Sequence, residues 1–173
     1  MSAPQHLDIS YMPDEDRVLL VVRQGDGRNS FWLTRRLLRA LLDGLVELLK
    51  RSSDTVTRAS NDVRSEVLLF EHMDAMTRRL DTVVEPGAAP GMAAGSAPGL
   101  LHQIDLQARG DQVSISLVAT SPDPVSVVMS RDNAHQLVSM LYDQALKAQW
   151  DIPEMEWLGR RSQVIVPKGV MLS

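Results

Sequence analysis

The chain has 173 residues, 44% of them hydrophobic and 23% charged, with a formal net charge of −4 and no cysteine. This is ordinary globular composition, enough for one domain or two small ones. It excludes a disulfide framework, thiol catalysis and cysteine zinc sites, and the acidic balance counts against a non-specific nucleic-acid binder.

The first ten residues, MSAPQHLDIS, have no basic region followed by an apolar run, so no signal peptide and a cytoplasmic location are expected. Leu37–Leu49 is the longest apolar stretch. Arg39, Asp43 and Glu47 interrupt it, so it is too short and too charged to span a bilayer.

Residues 6–11 alternate, with Leu7, Ile9 and Tyr11 on one face, and read as a strand. Pro13 to Asp16 make a turn. Residues 17–24, RVLLVVRQ, are apolar on both faces, which predicts a central strand covered on both sides. Gly25-Asp26-Gly27 signals a hairpin, residues 29–33 a third strand, and Thr34 an N-cap.

A helix is predicted from Arg35 to about Arg51. Its apolar positions, among them Leu38, Leu41, Leu42, Leu45 and Leu49, cover about half the circumference at 100° per residue, wider than the stripe of a surface helix. Such a helix needs two partners: its own sheet, and another helix from this chain or a second copy. After a polar break at 52–59, a second helix is predicted to start at Ser60 or Asn61. In it Leu69, Met73, Met76, Leu80 and Val83 recur at spacings of a short a/d seam. Residues 86–99 hold three prolines and four glycines among small residues and read as a flexible linker.

Strands resume at 101–108, 112–119 and 125–129, separated by Arg109-Gly110-Asp111 and Ser121–Pro124 turns. Arg109-Gly110-Asp111 matches an adhesion tripeptide but lies where a hairpin turn is needed. Ser130 is an N-cap for a helix from about Arg131 to Trp150, ended by Pro153. The tail contributes Met155–Leu158 and a short strand at 163–166.

The two halves share one order: three strands, a Ser/Thr cap and a helix. A shift of 95 lays Ile9, Tyr11, Val18, Leu20 and Val22 on Ile104, Leu106, Val113, Ile115 and Leu117. A shift of 96 lays Thr34, Arg35, Leu41 and Leu45 on Ser130, Arg131, Leu137 and Leu141. The expected fold class is therefore α+β: two related antiparallel three-stranded meander-plus-helix units with an extra helix between them. The expected divisions are a first unit with its second helix at 1–85, the linker at 86–99, and a second unit with its tail at 100–173.

Tyr11, Asp16-Arg17 and Trp32-Leu33-Thr34-Arg35-Arg36 form a pattern over the first 50 or so residues that resembles a family of uncharacterised bacterial proteins. That family has no assigned activity, so the resemblance carries over no site. Duplicated meander-plus-helix units are also similar in topology to the Whirly and PUR-repeat single-strand nucleic-acid binders. Those have four strands per unit where three are counted here, and they use basic and aromatic residues on the sheet. Tyr11, Phe31, Trp32 and Tyr142 are the aromatics on offer.

Chemistry-bearing motifs are absent from the sequence. There is no GxGxxG, no phosphate-loop Gly-Lys-Ser/Thr and no GxSxG. His6, His72, His102 and His135 have no metal-ligand spacing. No enzyme, cofactor or metal is expected, and His72, between apolar neighbours, reads as an interface residue. Arg35, Arg36 and Arg39 crowd the first turns of the long helix. An anion could bind there, but basic side chains oppose the helix dipole. A solvated collar pairing with Asp14, Glu15, Asp16 or Asp43 is the simpler reading. Asp16-Arg17 reads as a structural pair or turn cap. Trp150 and Trp157 flank an acidic segment and read either as cover for the end of the last helix, the preferred reading, or as anchors for a partner.

The leading expectation is a soluble, non-enzymatic association protein, an adaptor, assembly factor or regulator, with an unidentified protein partner or a second copy. Its interface would comprise Leu38, Leu41, Leu42, Leu45, Leu49, Leu69, Met73, Met76 and Leu80, giving a homodimer or higher oligomer. The second expectation is single-stranded nucleic acid on the sheet faces, through Arg17, Arg23, Arg28, Arg109 and Trp32, with Arg35, Arg36 and Arg39 as further anion contacts.

Overall fold

A computed structural model describes residues 5–78, 83–86 (backbone only), 97–121 and 123–153. The fold is α+β. Strands β1 (Gln5–Met12), β2 (Arg17–Gln24) and β3 (Gly27–Leu33) form an antiparallel meander that leads into α1 (Arg35–Ser52). A short helix α2 (Asp54–Arg58), a 3-10 turn at Asn61–Val63 and α3 (Arg64–Thr77) follow. Strand β4 (Val83–Pro86) comes next. A second meander, β5 (Gly99–Arg109), β6 (Gln112–Ala119) and β7 (Val125–Ser130), leads into α4 (Arg131–Lys147).

The described strands make one mixed sheet in the order β4-β1-β2-β3-β5-β6-β7. Two parallel joints connect its parts: β4 along His6–Ile9 of β1, and a two-residue contact of Phe31 and Trp32 with Gly99 and Leu100. That second joint tolerates only glycine at 99, since an added Cβ would lie 1.6 Å from the Ser121 carbonyl oxygen. The sheet also curls. Gln5 Oε1 accepts from Val128 N at 3.0 Å, and Gln24 Nε2 donates to Ser126 O at 2.8 Å. The β7 edge thus meets the open end of the β1–β2 pair, although it stands last in the strand order.

As read from the sequence, β2 is buried on both faces from Val18 to Val22. Both long helices begin where expected. Thr34 Oγ1 accepts from Leu37 N and Ser130 Oγ from Asn133 N, each satisfying an otherwise orphaned donor. The helices cross over: α1 packs on β5 of the second meander, α4 on β1 of the first, and the two lie against each other.

That crossing corrects the expected interface. Leu38, Leu41, Leu42, Leu45 and Leu49 all lie in one core with Leu137, Val138, Leu141 and both meanders. The second partner that α1 requires is α4 of its own chain, which leaves these five leucines no free flank.

The second helix differs from its predicted phase and length. It ends at Thr77, and Val83 opens β4 rather than closing a helical seam. Its buried stripe is Leu68, His72 and Ala75. Leu69 and Met76 are half-buried beside that stripe, Met73 points out, and Leu80 lies outside the described residues. The linker at 86–99 is bounded by β4 and β5, which take Pro86 and Gly99 as strand residues; 87–96 lie outside the described residues, as do Trp157 and the strand read at 163–166.

Candidate functional site

Two features stand out at α3: a polar cluster beneath it and a group of exposed apolar side chains above it. The cluster is built around Arg131, the first residue of α4. Its guanidinium donates to Leu49 O at 2.6 Å, Ser52 Oγ at 2.6 Å and Glu71 Oε2 at 2.9 Å. Glu71 also accepts from Ser53 Oγ, and Ser53 in turn caps α2 by accepting from Val56 N. Arg131 therefore ties the end of α1, the start of α2 and α3 to α4.

Behind this pair lie two buried imidazoles, His72 at 3% exposure and His135 at 1%, their Nδ1 atoms 3.4 Å apart. Glu71 Oε2 stands 3.9 Å from His135 Nε2. Burial, then the neighbouring His72 and Arg131 charges, push the His135 pKa down to about 3, which keeps the ring neutral. In front of the pair is a cleft of about 590 Å³, lined among others by Ser53, Asp54, Glu71, Asp111 and Arg131. Three carboxylates face one guanidinium that is already engaged, so the cleft does not suit an anion.

On its outer face α3 carries exposed apolar side chains among charged ones, with Glu66 and Asp74 exposed one turn to either side of Phe70. Phe70 is 70% exposed, Met73 55% and Val63 39%. Successive positions three and four apart share a helix face, so Val63, the half-buried Val67 and Phe70 line up, with Met73 beside them.

The remaining candidates do not converge. Arg17 and Arg23 are at opposite ends of β2, six residues or about 20 Å apart. Arg23 donates to the buried Asp8 carboxylate. Arg28 and Arg109 are exposed at separate hairpin turns and Trp32 is half-buried. Arg39 stands 4.0 Å from Asp43, Arg36 is exposed, and Arg35 donates to Asp151 O at 3.2 Å. The aromatics are structural: Phe31 is in the core, and Tyr11 meets Trp150 edge-to-face. Asp16, at φ +46°, accepts from both the Tyr11 hydroxyl and Trp150 Nε1. That hydrogen bond, with burial and the Asp16 charge, raises the Tyr11 pKa. Trp150 thus covers the end of α4 within its own chain, as expected. Among the described residues no group of three or more His, Cys, Asp or Glu could hold a metal ion, and no helix is long and apolar enough to cross a membrane.

Sequence reasoning missed the Arg131–Glu71–His135–His72 cluster. Its members come from segments about 60 residues apart, and the one local signal was the match of Arg131 with Arg35 behind their caps.

No protein family, curated protein or solved structure matches the chain.

Proposed function

We propose that this protein works by association, as an adaptor or assembly factor, with the outer face of α3 as its contact surface and a second copy of the chain as the partner. The observation that carries this reading is the exposure of Phe70. An aromatic ring left in water forgoes about 1.5–3 kcal/mol of burial, and it sits beside Met73 and Val63 on one helix face. Contiguous exposed apolar side chains mark contact sites. Large aromatic and methionine side chains are enriched in such contacts. The polar cluster beneath gives the face a fixed base, since Glu71 and His72 hold α3 against α4 from the opposite side.

The same reading takes the two halves as one duplicated unit. Its support is a reciprocal pair of contacts. Arg131, first in α4, reaches Leu49 O at the end of α1, and Arg35, first in α1, reaches Asp151 O just past α4.

The chain has no native cysteine, so a single Met73→Cys substitution reports on the contact directly. Mild oxidation is expected to give a crosslinked dimer from Met73→Cys and none from Val128→Cys, which is exposed on β7. Equal crosslinking at both positions, or none at position 73, overturns the proposal.

A further inference from the structure

Beyond the α3 contact, we infer that the outer edge of β5 is a slot for an extended peptide, taken up as an added parallel strand. The partner's chemistry is a short β-branched run followed by proline. β5 has eleven residues, yet on its side away from β6 it meets β3 only at Gly99 and Leu100. From Leu101 to Arg109, no strand among the described residues pairs with that edge. A groove of about 510 Å³ runs there instead, between Gly44, Glu47, Leu48 and Arg51 of α1 and Leu106 and Ala108 of β5.

The first meander indicates what fits. In the register that lays Tyr11 on Leu106, β1 is the counterpart of β5. The outer edge of β1 is filled by β4, a Val-Val-Glu-Pro strand running parallel along His6–Ile9. Where β4 stops, Gln144 of α4 closes the edge: its Oε1 accepts from Tyr11 N at 2.8 Å. Beside β5 both devices are missing among the described residues. No strand lies along it, and the helix position corresponding to Gln144 is Leu48, whose side chain has no acceptor. An open edge supplies main-chain hydrogen bonds, and alternate side chains entering a groove supply selectivity. The apolar part of the groove's lining is Leu48, Ala108 and Leu106, whose side chain already packs over Gly44, while the Glu47–Arg51 ion pair stands at the rim. One valine of a Val-Val pair would face that lining, since neighbouring side chains of a strand point to opposite faces. A proline that ends the run matches the place where Gln144 ends pairing in the first half.

The test uses the full chain and a fluorescent synthetic peptide with the sequence of residues 81–88, DTVVEPGA. Saturable binding is expected, together with slowed amide exchange at Gln103–Arg109. Leu48→Gln, which installs the closing acceptor, is expected to weaken binding about tenfold, the equivalent of roughly 1.4 kcal/mol. Ala108→Trp, at an exposed groove position, is expected to do the same, so the test does not hang on one variant's folding. A peptide with both valines changed to aspartate is expected not to bind. Absence of binding, or binding without protection of β5, overturns the slot. Protection of β5 in the free chain at every concentration means that the chain fills the slot itself. Protection that grows with protein concentration means that a second copy does. Either result overturns a separate peptide as the occupant. None of these readouts depends on Phe70 or Met73, so failure here leaves the α3 proposal standing.

Discussion

Arg131, the first residue of α4, donates to the main-chain carbonyl of Leu49, in the last turn of α1, at 2.6 Å. The last carbonyls of a helix have no partner within it, and a cation there also complements the helix dipole. The same guanidinium carries the ion pair with Glu71, whose side chain is 24% exposed. Arg131→Ala therefore strands several groups at once and is expected to cost about 2–3 kcal/mol, read from urea unfolding. Arg131→Lys should recover only part, because one ammonium cannot reproduce the fork across Ser52, Leu49 and Glu71. A loss below about 0.5 kcal/mol, the scale of an exposed ion pair, contradicts the assignment.

The buried imidazole of His135 fixes a pH dependence. Its pKa in the fold is about 3, against about 6.5 in an unfolded chain. Between those values the unfolded state binds the extra proton. The stability held by the neutral ring is whole above about pH 6.5 and is lost as pH falls toward about 3. The slope approaches about 1.4 kcal/mol per pH unit. Urea midpoints at pH 7 and pH 5 should therefore fall further apart for the natural chain than for His135→Leu. Equal falls in both contradict this account.

Gly99 joins the two meanders at the one place where β3 and β5 touch. The obstacle to a side chain there is backbone, the Ser121 carbonyl, which cannot turn aside as a side chain can. Gly99→Ala is expected to destabilise by about 3 kcal/mol, at the upper end of overpacking costs, and to lower the thermal midpoint. An unchanged midpoint means that the joint is not a structural hinge between the halves.

Gln5 and Gln24 blunt the β7 edge by taking Val128 N and Ser126 O. Unpaired strand edges recruit other strands. The double change Gln5→Ala, Gln24→Ala is expected to cost about 1–2 kcal/mol, at about 0.5–1 for each exposed bond, and to raise turbidity on heating. Turbidity equal to that of the natural chain argues that the edge is protected some other way.

Much of the fold was legible because local patterns dictate it. The unbroken VLLVV of β2 announced burial on both faces, and Thr34 and Ser130 announced the helix starts. The width of the leucine stripe on α1 was also legible, but not what covers it. Amphipathicity states how much surface must be hidden, while the crossing of α1 onto β5 and of α4 onto β1 is set by contacts far apart in the chain. The face of α3 was misjudged for a related reason. Residues 67–70, VLLF, are apolar all round, so a hydrophobic count phases the seam on Met73 and Met76, whereas the chain buries Leu68, His72 and Ala75. A histidine placed in an interior is invisible to a hydrophobic count. Its ring neighbour, His135, comes from α4, 63 residues along the chain.

The central claim is that α3 turns Phe70 toward a second copy of the chain. Its most direct test is the solution mass of the natural chain and of Phe70→Asp across micromolar concentrations, by light scattering. The account predicts about twice the 19.2 kDa chain mass for the natural protein, and a monomer for Phe70→Asp with unchanged circular dichroism. A natural chain that remains monomeric throughout, or a Phe70→Asp variant that keeps the dimer mass, contradicts it.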